Sequence, residues 1–141
     1  ASQADGARTL LGGDSLPQPG AWYAPTVLDG ITPGMTAFTD ELFGPVAVVY
    51  KVDSAEEAVQ LANSSAFGLS GSVWSGDLAR ARDIADQLEV GMANVNLASA
   101  AGANLPFGGV KRSGFGRELG PMAVDEFANK RLYAVQGPLE G

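Results

Sequence analysis

With 141 residues, 9 Lys+Arg against 16 Asp+Glu and neither Cys nor His, the chain has no thiol nucleophile, no disulfide framework, no serine–histidine triad and no zinc site of the usual ligands. Hydrophobic residues make up 45%, and a single domain of this length buries roughly two-thirds of its unfolded surface, so a disordered or fibrous chain is not expected. A net charge of -7 argues against general nucleic-acid affinity, and no apolar run approaches the roughly 20 residues of a membrane helix.

The opening Ala1–Gly6 lacks the basic and apolar regions of a signal peptide, and a cytoplasmic protein with no metal site is expected. Because the first residue is Ala1 and not Met, a processed chain or a piece of something longer is left open. Residues 1–34 are punctuated by Gly12-Gly13, Pro17, Pro19, Gly20, Pro25, Gly30 and Pro33-Gly34, so regular structure is confined to short pieces, with Trp22–Leu28 the expected strand. From Val46 to Val52 a continuous β-branched and apolar run has the length of a buried strand. Ser54 and Glu57 then form a capping box, and Ala55, Ala58, Val59 and Ala62 fall on one face of a helix that should stop near Asn63-Ser64.

The plan repeats. Leu69–Trp74 reads as a strand, Asp77 as the N-cap of a helix striped by Leu78, Ala81, Ala85 and Leu88, Gly91 as its left-handed cap, and Met92–Asn96 as another strand. The fold class is therefore α/β, a β-α-β-α-β core with a mostly parallel sheet. Residues 97–116 form a long loop rich in Ala and Gly, of a length that compact domains keep for function. Arg117–Phe127 reads as a C-terminal helix with Pro121 in its first turn, and Lys130–Val135 as a final short strand.

Two glycine-rich stretches invite phosphate readings and fail them. Gly114 to Gly120 is G-x-G-x-x-x-G after a loop, whereas the dinucleotide fingerprint needs different spacing after a strand. Gly109 to Gly114 starts like a Walker loop, but Phe115 stands where the lysine is required. Lys111, Arg112, Arg117, Lys130 and Arg131 are spread without the aromatic platform of a single-strand binder. Asp40-Glu41-Leu42-Phe43-Gly44-Pro45 places a carboxylate and a ring two residues apart just before a buried strand; on physics alone Glu41 could equally be a solvated loop acid and Phe43 a core plug.

Joined to Leu105-Pro106-Phe107-Gly108-Gly109-Val110-Lys111-Arg112-Ser113-Gly114-Phe115-Gly116-Arg117-Glu118-Leu119-Gly120, that segment resembles the C-terminal part of the catalytic domain of NAD(P)-dependent aldehyde dehydrogenases. Trp22–Leu28, Ala62–Ser70 and Gly91–Asn96 extend the resemblance over nearly the whole chain, and residues 97–103 and 106–120 look most like the succinate-semialdehyde dehydrogenases. The family attacks an aldehyde with a Cys thiolate, passes hydride to the nicotinamide and hydrolyses the thioester with a Glu-activated water. The resemblance puts both of those residues, and the nucleotide-binding domain, ahead of Ala1, so residues 1–141 alone should be inactive and bind no NAD or NADP. By the same resemblance Glu41 holds the nicotinamide ribose hydroxyls, Phe43 packs beside the nicotinamide, Phe107 is an aromatic wall of the substrate pocket, and 97–104 contacts the far end of the aldehyde, where small Ser99, Ala100 and Ala101 leave room and Ser99 can donate to a polar tail. Lys111, Arg112, Arg117 and Glu118 have a fold-holding role. Lys130–Val135 matches a strand used in subunit association, so a homo-oligomer is expected, and the partners implied are a small aldehyde and the N-terminal part of the same enzyme. Two other readings stand beside this one: a non-catalytic binding module and a subunit-assembly piece.

Overall fold

The computed structural model describes residues 1–138, which divide into two units, 1–66 and 67–138. In the first unit β1 (Arg8–Leu11), β2 (Thr26–Asp29) and β3 (Val46–Val48) form a sheet in that order, β1 antiparallel and β3 parallel to β2. The short helix α1 (Thr36–Thr39) precedes β3, and α2 (Ala55–Asn63) follows it. Ala7, Leu28, Ile31, Met35 and Ala37 make the core, flanked by Phe38, Leu42, Val46 and Val48. At the sheet edge Arg8 reaches Asp29 through two bonds of 2.8 and 2.6 Å, and the guanidinium is held above its ordinary range by the hydrogen bond first and the opposite charge second.

The strands are shorter than expected from sequence, for a reason that lies in their partners. Thr26, Val27 and Leu28 pair with Val46, Ala47 and Val48, and the ladder ends there, so the apolar run to Val52 leaves the sheet. Tyr23 makes only an isolated bridge to Ser15, which trims the Trp22–Leu28 strand at its start. The α2 start is as expected: Ser54 Oγ accepts from Glu57 N at 3.0 Å. Glu57 reaches back to Asp53 N at 2.8 Å, one residue beyond the cap itself. Ser54→Ala should therefore lower stability by about 1 kcal/mol. The shift in the urea midpoint measures it, and no shift would show that Glu57 holds the helix end unaided.

In the second unit the expected strand 69–74 is present, trimmed by one residue at each end, and a separate two-residue strand precedes it. β4 (Phe67–Gly68) pairs antiparallel with β7 (Val110–Lys111), and β5 (Ser70–Val73) pairs parallel with β6 (Met92–Val95). The connection from β5 to β6 carries α3 (Leu78–Ala85), capped by Asp77 Oδ1 accepting from Arg80 N at 3.1 Å. Ala81 and Ala85 are its buried face. The β-α-β unit is thus present here, but β3 takes its ladder partner in β2 and not in this sheet, so the expected β-α-β-α-β core is not one continuous sheet.

Three further expectations need correction. The helix ends at Asp86, ahead of Gly91, whose backbone is not left-handed; an added Cβ at Gly91 would meet the Gly108 carbonyl instead, so this glycine serves close backbone approach. The C-terminal helix shrinks to α4 (Ala123–Glu126), because Glu118 is held extended by a bridge to Phe107 and Leu119 and Gly120 follow at φ of 61° and 62°. Lys130–Val135 forms no strand, and Leu132, Tyr133 and Val135 are exposed. No helix among the described residues is long and apolar enough to cross a membrane.

Candidate active site

Glu41 and Phe43 lie on the bend between α1 and β3. Asp40 N–H closes α1 on Thr36 O at 2.9 Å, and Thr26 N–H donates to Pro45 O at 2.8 Å, so both ends of the 40–45 segment are pinned by backbone. Between those points the two side chains face a shared open depression of about 530 Å³ with Tyr23, Leu42 and Pro45. Phe43 is 94% exposed, so the core of this unit does not take it up. A bare phenyl ring loses hydration free energy only when something covers it, and nothing in this unit does. Glu41 is exposed too, and its carboxylate is engaged by no donor among the described residues, leaving both oxygens open as acceptors.

In the second unit the candidate residue Phe107 opens the glycine-rich segment. Phe107 and Glu118 exchange backbone hydrogen bonds of 2.7 and 2.8 Å, which closes residues 107–118 into a loop. Arg117 Nη1 spans that loop, donating to Gly109 O at 2.9 Å and Gly116 O at 2.6 Å, while Arg117 N donates to Glu126 Oε1 at 3.3 Å. Lys111 pairs with Glu89 at 2.7 Å, and the Arg112 guanidinium lies 5.3 Å from the Phe67 ring centre. These contacts give Lys111, Arg112 and Arg117 the fold-holding part expected of them. Phe107 lines an open depression of about 410 Å³ together with Leu69, Phe115, Arg117, Glu126 and Phe127.

Ser99 and Ala101 are exposed and do not line that depression. Their segment is tied down at several points. Ser72 Oγ donates to Leu97 O at 2.6 Å, Ala100 N donates to Asn94 Oδ1 at 3.1 Å, and Gly120 N donates to Ala103 O at 3.0 Å. Asn94 as a loop tether carries geometry that sequence reasoning did not single out. The one available signal was a polar side chain in the middle of a strand.

No group of carboxylates among the described residues is placed to hold a metal ion. Tyr50, its ring centre 6.2 Å from that of Phe38 in an edge-to-face pair, lines an open groove of the first unit, and partial burial pushes its hydroxyl upward.

Comparison with known proteins joins these features. The model of the aldehyde dehydrogenase family matches residues 1–132. A succinate-semialdehyde dehydrogenase [NADP(+)] of Deinococcus radiodurans is 54% identical over 127 residues, which is 90% of this chain and 27% of the relative. The succinate semialdehyde dehydrogenase [NAD(P)+] of Escherichia coli is 49% identical over 126 residues, 89% of this chain and 27% of that one. Among solved structures, the succinic semialdehyde dehydrogenase from Streptococcus pyogenes in complex with NADP+ superposes with a TM-score of 0.88 at 37% identity, covering 96% of this chain and 30% of that one. An NAD-dependent aldehyde dehydrogenase from Sinorhizobium meliloti superposes with a TM-score of 0.85 at 43% identity, covering 90% and 25%. The chain thus spans about a quarter of the length of these relatives. Over that span it belongs to the aldehyde dehydrogenase family.

Proposed function

We propose that this chain is the C-terminal part of a longer enzyme that oxidises succinic semialdehyde to the dicarboxylate with NAD+ or NADP+. The observation that carries it is the pairing of an unengaged carboxylate, Glu41, with the bare ring of Phe43 in one depression, inside a segment that matches the family throughout. An acceptor-only carboxylate suits a ribose diol, because each hydroxyl can donate to one oxygen. The ring supplies an apolar face against which a flat heterocycle stacks. Only the nicotinamide-ribose end fits here, since neither glycine-rich segment has the features of a diphosphate cradle. When bound, the nicotinamide supplies the hydride acceptor.

Phe107 is assigned to the wall beside the aldehyde, and Ser99 and Ala101 to its far end. Small exposed side chains at 99 and 101 leave space for a polar tail, and the Ser99 hydroxyl can donate to a carboxylate. With no Cys in its 141 residues, the chain contributes positioning and pocket walls and not the nucleophile. The exposed, unpaired segment Lys130–Val135 is assigned to association between copies, where its free backbone groups would find a strand partner. In the full-length protein that carries this segment, kcat/KM for succinic semialdehyde should exceed that for benzaldehyde. The reverse order would remove the substrate assignment.

A further inference from the structure

Asn94 stands in the middle of β6 and is 7% exposed. Both donors and one acceptor position of its side chain are used: Nδ2 donates to Ser70 Oγ and to Gly71 O, each at 3.1 Å, and Oδ1 accepts from Ala100 N at 3.1 Å. Two of the three bonds stay within the β5–β6 pair. The third leaves the sheet and takes hold of the loop between the two residues assigned to the tail of the substrate, Ser99 and Ala101.

The rest of the loop is held differently. Its exit from β6 is shaped by Asn96, at φ 52°, which exchanges side-chain bonds of 2.9 Å with both backbone groups of Ser75. Leu97 O is bound by Ser72 Oγ. Both of these contacts are exposed, where water competes for the same groups. The Asn94–Ala100 bond is half-buried, less open to that competition, and made by a buried side chain whose amide nitrogen is itself fixed.

We propose that Asn94 is a positioning residue for substrate choice: by holding the Ala100 amide it sets the direction of Ser99 and Ala101, and through them the length and polarity of the aldehyde tail that is accepted. This rests on the assignment of 97–104 to the substrate's far end. Asn94 does not touch the reacting carbonyl, so its effect falls on binding of the tail and not on the chemical step.

The test compares two aldehydes in the full-length protein carrying this segment: succinic semialdehyde, whose tail reaches the loop, and propanal, whose tail does not. Asn94→Leu should raise KM for succinic semialdehyde about tenfold, with kcat for both aldehydes and KM for propanal held within about twofold. Should the leucine variant fail to fold, Asn94→Ala is read in the same way. Ser70→Ala, which removes one bond on the strand side and leaves Ala100 held, should keep the semialdehyde KM. Equal changes for both aldehydes, or none, would overturn the proposal by leaving Asn94 a purely structural residue. Ser99→Val and Ala101→Val are measured in parallel. If they alter the semialdehyde KM while Asn94→Leu does not, the tether is wrong and the loop assignment stands; if neither alters it, both fall together.

Discussion

Glu41→Ala in the full-length protein should lower kcat/KM about ten- to a hundredfold, with the melting temperature unchanged. The first part follows from what a charge-assisted hydrogen bond contributes, about 1.5–3 kcal/mol, and from the sensitivity of a transfer step to small displacements of the reacting group. The second part follows from the environment of the residue. Glu41 is exposed and engaged by no donor among the described residues, so its removal breaks nothing within the chain, and substitutions of that kind stay within about 0.5 kcal/mol. Glu41→Gln, which keeps one acceptor oxygen, should fall between the two. Steady-state kinetics together with a thermal melt check both halves at once. A variant with wild-type kinetics would strip Glu41 of its cofactor role, and one that lost activity only by unfolding would make it structural.

Gly91→Ala should destabilise the second unit by about 3 kcal/mol, the upper end of what forced overpacking costs. The added methyl would collide with the Gly108 carbonyl oxygen and lie 2.7 Å from both the Gly108 carbonyl carbon and Gly109 Cα. All three are backbone atoms, so no side chain can rotate away. Nor can the obstructing segment retreat freely, because it is packed closely in turn: a Cβ added at Gly108 would lie 2.8 Å from Gly116 O. Urea unfolding should show the midpoint falling by about 1 M or more. Gly76→Ala is the control: its Cβ would meet nothing within 4 Å, and its backbone is not in the left-handed region, so it should be neutral or slightly stabilising. Equal behaviour of the two variants would refute the close-approach account.

What could be read from the sequence divides along the range of the interactions concerned. Ser54 and Asp77 were legible as caps because their partners, Glu57 N and Arg80 N, are three residues away. Val46–Val52 was overlong because apolar character marks what can enter a sheet, while the ladder is ended by β2, whose pairing stops at Leu28. The 117–127 helix failed for a tertiary reason, since Glu118 is committed to Phe107 eleven residues upstream. The site shows the same split. Glu41, Phe43 and Phe107 stand inside continuous motifs and were nominated through them. Asn94 is bound to Ala100 nearby but also to Ser70 and Gly71 on another strand, and no local pattern announces that pairing.

The two ladders of the second unit also differ in how they can come undone. β5 and β6 share four paired positions, whereas β4 and β7 share two and enclose about twice the length of chain, from Phe67 to Lys111. Doubling a closed loop adds about 0.6 kcal/mol of entropy cost, and here only half as many pairs are present to offset it. The β4–β7 clasp is therefore the cheaper one to release, and its opening separates Phe67-Gly68 from Val110-Lys111 while β5, α3 and β6 stay folded. Hydrogen exchange would separate the two events, with the amide of Gly68, which donates to Ser113 Oγ, exchanging ahead of those of Met92 and Asn96, which donate to Leu69 O and Val73 O. A loop fastened this way can be remade in sequence or in length without rebuilding the β-α-β unit that carries it.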